Sequence, residues 1–229
     1  MTMKKLTFIL TVFAAFATIT ASAQVSSRPG NSDGRSVTTS REKSEAATGS
    51  MFVNDKFMPA KISGSQTTTL LRYNAYGDYF EMNNPKDGGA AQSVPKDPNA
   101  TITFVSEDKK YVLVDYTTED GKSSNGYLVV VKESPKASIF KRERVTMTQE
   151  FFPSNSYQVY KPANYKKADD EFYIKLEGKE PVFFSNKKEF AKLVPGKNKE
   201  VLEFIKKNSI DLEKEGDLVK LSNYVETIL

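Results

Sequence analysis

The chain has 229 residues, 33 Lys and Arg against 29 Asp and Glu, and no cysteine, histidine or tryptophan. The length allows one sizeable core, and without cysteine that core must hold by burial alone. Without histidine there is no Ser-His-Asp or Cys-His catalysis, no histidine-ligated metal and no imidazole switch, and a net charge of only +4 argues against a nucleic-acid binder.

Taken from the start, Lys4 and Lys5 precede an apolar run over residues 6–19, followed by Ala21-Ser22-Ala23. That is the layout of an export signal with a small-x-small cleavage site, predicted to be cut between Ala23 and Gln24. The run is too short to span a bilayer, and Thr7, Thr11 and Thr18 interrupt it. The expected organisation is therefore a signal peptide over 1–23, a disordered tether over 24–50, a β-rich region over 51–185 and a helical cap over 186–229. Residues 25–50 hold Val37 amid Ser, Thr, Gly and charges, too little apolar surface to offset the entropy of ordering. The Pro- and Gly-rich stretch 83–100 is expected to be a disordered loop for the same reason.

Strands are expected at 67–73 and 79–82, flanking a turn where Gly77 supplies a positive φ, and at 101–105. Residues 110–118 place Val112, Val114 and Tyr116 on one face and Tyr111, Leu113 and Asp115 on the other. With 127–132 they form a hairpin turned at Glu119-Asp120-Gly121-Lys122. Residues 138–149 alternate charged and apolar side chains, as a half-exposed strand does. A tyrosine-rich connector with Pro153 and Pro162 leads to a last hairpin, 171–177 and 181–185, turned at Gly178.

The period then changes to that of a helix. Asn186 is placed to cap a first helix, with Glu189 as its capping-box partner and Pro195-Gly196 as its end. A second spans about 198–208 and buries Val201, Leu202, Phe204 and Ile205. A third carries Leu218, Leu221, Val225 and Ile228. Strands first and helices last predict an α+β fold, a curved antiparallel sheet of about seven strands with a three-helix C-terminal cap packed on it.

Three short patterns have ordinary explanations. Gly121-Lys122-Ser123 lacks the upstream glycine of a phosphate-binding loop, since position 116 is Tyr, and lies in a hairpin turn. Ser185-x-x-Lys188 starts a helix, and its spacing recurs at Ser40, Ser106 and Ser138. Asp169-Asp170-Glu171 lacks the spaced oxygens and glycine of a calcium loop and reads as a solvated turn. Residues 70–81, LRYNAYGDYFEM, are the most distinctive text. Tyrosines beside Arg72 and Asp78 suit stacking on a sugar or peptide. The competing reading, favoured here, is a hairpin whose aromatics pack the sheet while Asn74 and Asp78 bond their own turn. Tyr76, at the turn, is the one candidate binding residue.

That run, with GSMFVNDKFMPAKI before it and EVLEFIKKNSIDLEKEGDLVKLSNYVETIL at the end, resembles a group of uncharacterised exported proteins of Bacteroidota. The resemblance covers most of 49–229, with 83–100 as an addition. It implies an envelope location and supplies no activity or catalytic residue. The expected function is a non-catalytic binding or assembly component of the cell envelope, periplasmic, outer-membrane-associated or extracellular. No cofactor and no metal are expected, and the partner is an envelope protein or glycan. The alternatives are a small-ligand carrier with a cavity in the sheet, or a carboxylate-dependent hydrolase of envelope glycans.

Overall fold

The computed structural model describes residues 44–83, 90–155 and 157–229. The signal peptide, its cleavage point at Ala23 and Gln24, most of the tether and residues 84–89 lie outside the described residues. Six strands come first: β1 (Met58–Ile62), β2 (Thr68–Asn74), β3 (Tyr79–Asn83), β4 (Ala91–Ser93), β5 (Thr101–Phe104) and β6 (Lys109–Thr117). Six more follow: β7 (Ser123–Lys132), β8 (Ala137–Arg142), β9 (Val145–Thr148), β10 (Asn164–Lys167), β11 (Glu171–Leu176) and β12 (Val182–Phe183). Helices α1 (Lys187–Leu193), α2 (Asn198–Lys207) and α3 (Glu215–Ile228) close the chain. The fold is α+β and sheet-dominated, but its twelve described strands exceed the seven expected.

Ten strands form one sheet in the order β12-β11-β8-β7-β6-β5-β1-β2-β3-β4, and β9 and β10 form a separate ribbon. A parallel pairing of Val182 with Thr117 joins β12 back to β6, closing a five-stranded ring. The long hairpin β6–β7 is common to both halves of the sheet, in register from Thr117↔Ser123 to Tyr111↔Val129. Its turn is built as expected: Gly121 has φ 74, and Asp120 accepts from the Thr118 hydroxyl at 2.6 Å. Val112, Val114 and Tyr116 pack with Leu128, Val130, Phe140, Tyr173 and Phe183, so side chains fill the ring. On the opposite face Tyr111 and Leu113 join Leu71, Tyr73, Phe80, Phe104 and Tyr127 in an aromatic core under β1, β2 and β3.

The helices cover the remaining flank. Val201, Ile205, Leu218, Leu221 and Val225 pack on Ala137, Ile139, Ile174 and Leu176. The Ser222 hydroxyl donates to the Ala137 carbonyl at 2.5 Å, which seats α3 on β8. At the start of α1 the Asn186 side-chain oxygen accepts from the Lys188 and Glu189 amides at 3.1 and 3.0 Å, as the sequence predicts. The Glu189 carboxylate reaches one residue further back than a capping box requires, accepting from the Ser185 amide and hydroxyl at 3.0 and 2.8 Å. The Ser185 amide, then its hydroxyl and the Asn186 side chain, hold the Glu189 carboxyl below its ordinary value. A depressed folded-state value stabilises above the ordinary glutamate range and is lost as the pH falls through it. Glu189→Ala should therefore lower the unfolding midpoint at neutral pH, by an amount that shrinks on acidification through that range. A pH-independent difference would contradict the cap.

Four expectations need correction. The stretch 138–149 is two strands in two different sheets, broken at Glu143-Arg144, because Lys141 and Glu143 turn inward to ion pairs instead of facing solvent. The loop 83–100 contains β4, paired with β3 from Glu81↔Ser93 to Asn83↔Ala91, and the Val94 amide bonds the Phe80 carbonyl at 2.8 Å. In the tether, residues 44–50 are held against β10: Thr48 pairs with Asn164, and the Tyr165 amide bonds its carbonyl at 2.8 Å. Gly49 suits this approach, having φ 75 and a backbone so close to the Tyr165 carbonyl that a side chain would collide with it. Finally, the turn before β3 takes its positive φ at Asp78 (55°) and not at Gly77.

Candidate functional site

The distinctive β2–β3 hairpin is mostly structural. The Asn74 side-chain oxygen accepts from the Gly77 amide at 2.8 Å, bonding its own turn as expected. Asp78 does something different. Its Oδ1 accepts from the Tyr73 hydroxyl at 2.7 Å and from the Tyr127 amide at 3.1 Å, while Oδ2 takes Lys96 Nζ at 2.7 Å. Gly126 makes room, since a Cβ there would sit 2.8 Å from that carboxylate. Arg72 gives Nε and Nη2 to Glu81 Oε2 at 2.8 and 2.6 Å, and lies 3.7 Å from the Phe52 ring centre and 4.4 Å from that of Phe57. Neither charge that the sequence places beside the tyrosines is left over for a sugar or peptide.

Tyr76 is 47% exposed. Its ring meets Tyr165 edge-on at 5.1 Å, which puts it at the root of the β9–β10 ribbon. Tyr76→Ala should remove that edge contact and lower stability by about 0.5–1.5 kcal/mol, the scale of an aromatic pair. Denaturant unfolding reads it, and an unchanged midpoint would mean that the pair contributes nothing to the root.

From that root the ribbon projects as an arm. Thr148↔Asn164 to Val145↔Lys167 forms its base, and Phe151 and Lys161 exchange both backbone hydrogen bonds, at 2.8 and 3.0 Å, further out. The turn is tied by its own side chains: Gln158 Oε1 accepts from the Ser154 amide and hydroxyl, each at 3.1 Å, and Asn155 Oδ1 from the Tyr157 amide at 3.1 Å. What the tip presents is apolar. Phe151 is 43% exposed, Phe152 48%, Tyr157 96% and Val159 77%, with the Phe152 and Tyr160 rings 5.2 Å apart. Residues 44–48 run beside it, Ser44 Oγ donating to Glu150 at 2.6 Å and the Glu45 amide to the Tyr160 hydroxyl at 3.1 Å. The sequence reads this stretch only as a tyrosine-rich connector. The available signal was Phe151-Phe152-Pro153 and Tyr157-x-Val159-Tyr160 crowded around turn-forming residues, where no strand can bury them.

The remaining polar clusters are structural in form. Glu143, 4% exposed, accepts from the Tyr111 hydroxyl and from Lys109 Nζ at 3.1 Å. Burial, and then the Glu143 carboxylate, push the Tyr111 hydroxyl far above the ordinary tyrosine value, so it stays a neutral donor. Burial and then Asp78 do the same to Tyr73. A cavity of about 90 Å³ lies between Met58, Arg72, Phe104 and Lys109. A larger open groove of about 630 Å³ lies between Asp169-Asp170-Glu171, Phe183-Phe184 and the loop before α3. In the acidic triplet Asp169 is exposed, as a solvated turn requires, but Asp170 and Glu171 are half-buried and paired. Glu171 pairs with Arg144 and, at 3.4 Å, with Arg142, and Asp170 lies 3.7 Å from Lys141. Among the described residues no group of three or more His, Cys, Asp or Glu is arranged to hold a metal ion, and no helix is long and apolar enough to cross a membrane. The chain matches no protein-family model, no curated protein and no solved structure.

Proposed function

We propose that this chain is an exported, non-catalytic binding or assembly component of the bacterial cell envelope, and that the β9–β10 arm is its contact surface. The observation that carries this is the arm tip: Phe151, Phe152, Tyr157 and Val159 exposed together at the end of the β9–β10 ribbon. Large apolar side chains clustered in solvent mark sites that something else covers. The tripartite N-terminus and the resemblance to exported Bacteroidota proteins support the location. The carrier alternative finds less support, because side chains fill the closed ring and the 90 Å³ cavity is well below the roughly 300 Å³ of a small-molecule site. The hydrolase alternative would use the acidic groove, where Asp170 and Glu171 already face basic partners.

Affinity capture from an envelope extract tests the proposal, comparing the natural chain with Phe152→Ser/Val159→Ser. Val159 faces solvent and Phe152 is half-buried against Tyr160, so stability should fall by no more than about 0.5–1.5 kcal/mol, the scale of one ring pair, and the variant should stay folded. Capture should fall at least tenfold, on the order of the loss when an interface anchor is truncated. Undiminished capture by the variant would remove the arm from the function.

A further inference from the structure

We infer that the tip of the arm inserts into the headgroup region of an anionic lipid layer. This rests on the arm being the contact surface and names what it contacts. Three features point to lipid. The first is shape: Tyr157 and Val159 are almost free of the rest of the chain, so the apolar surface is a protruding knob. Aromatic side chains with a polar edge are the residues that settle at a membrane–water interface.

The second is backbone satisfaction. Entering an apolar layer is costly for unpaired amides and carbonyls. Here Phe151 and Lys161 pair with each other, the Ser154 and Tyr157 amides have side-chain acceptors, and Pro153 and Pro162 have no amide hydrogen to satisfy. The amides of Phe151, Ser154, Tyr157, Gln158 and Lys161 thus have acceptors within the tip, which removes part of that cost.

The third is charge. Across residues 145–167 the charged side chains are Lys161, Lys166, Lys167 and Glu150. The three lysines are exposed, and none of them forms an ion pair among the described residues. Glu150 is turned to Ser44 and to the Tyr160 hydroxyl, at 2.6 and 3.3 Å. Lys166 and Lys167 lie at the base of the ribbon, but Lys161 sits at the edge of the tip. An apolar tip edged by that lysine complements a layer whose interior is apolar and whose surface is negative, and a lysine near such a surface is worth about fivefold in affinity.

The leader-free chain serves for the test, since the leader is itself apolar. Vesicles of phosphatidylglycerol in phosphatidylcholine, and of phosphatidylcholine alone, are the probes. The chain has no cysteine, so Tyr157→Cys accepts one environment-sensitive fluorophore at the tip. The expected results are co-sedimentation with the anionic vesicles, a blue shift of the fluorophore and weakening by salt. Phe152→Ser/Val159→Ser should weaken binding at least tenfold, roughly the loss of two partly buried apolar side chains. Lys161→Glu should weaken it at the anionic surface only. Absence of binding to anionic vesicles, or equal binding by the tip variant, overturns the inference. If in addition the tip is needed to capture a membrane-free envelope protein, lipid insertion is wrong while the arm remains the contact surface. If tip variants lose neither lipid nor protein binding, both are wrong.

Discussion

Phe80→Ala is expected to lower the unfolding free energy by about 3–5 kcal/mol, the usual cost of deleting a buried phenyl ring. The ring is fully buried, with centres 4.8 Å from Tyr73, 5.2 Å from Tyr111, 4.8 Å from Tyr127 and 6.1 Å from Phe104. Those partners lie on β2, β6, β7 and β5, so a single side chain joins the β2–β3 hairpin to the long central hairpin. Close packing leaves the neighbours little freedom to collapse into the space. Because Asp78 and the Tyr127 amide depend on the same docking, the loss should fall towards the upper end. A change below about 1 kcal/mol would mean that β2 and β3 are held by their strand pairing alone.

Glu143→Ala should cost about 1–3 kcal/mol, for a different reason. It removes the acceptor of the fully buried Tyr111 hydroxyl and one partner of Lys109, which keeps Glu107 at 3.2 Å. Most of the loss should therefore come from the stranded hydroxyl. Tyr111→Phe in the Glu143→Ala background should restore part of the stability, whereas in the natural chain it should reduce it. Additive effects of the two substitutions in chemical denaturation would show that the hydroxyl and the carboxylate are not coupled.

Elements whose side chains obey one local period were legible in the sequence. The alternation of Tyr111 to Tyr116 assigns each residue except the exposed Asp115 to the core where it is found, and Leu218, Leu221 and Val225 are all fully buried. Asn186 caps α1 because a cap is settled within three residues. What the sequence did not yield depends on partners distant along the chain. β1 contains Pro59, and β4 and β10 lie in Gly-, Ala- and Pro-rich text, so each is a strand only because a neighbour completes its ladder. Asp78 looked like a turn residue, but its partner Tyr127 is 49 positions away. Lys141 and Glu143 looked solvent-facing because their partners, Glu215 and Tyr111, come from α3 and β6. The arm follows the same rule in reverse. Phe151, Phe152, Tyr157 and Val159 have the composition of a core, and only the absence of a covering element among the described residues leaves them exposed.

Hydrogen exchange of the folded chain, alone and saturated with envelope membranes, tests most directly whether the arm is the contact surface. Amides over residues 151–161 should slow on binding, while those of β6, β7 and α3 keep their rates. Protection confined to the groove around residues 169–171 and 212–215, with the arm exchanging as freely as before, would contradict the account and move the site to the acidic groove.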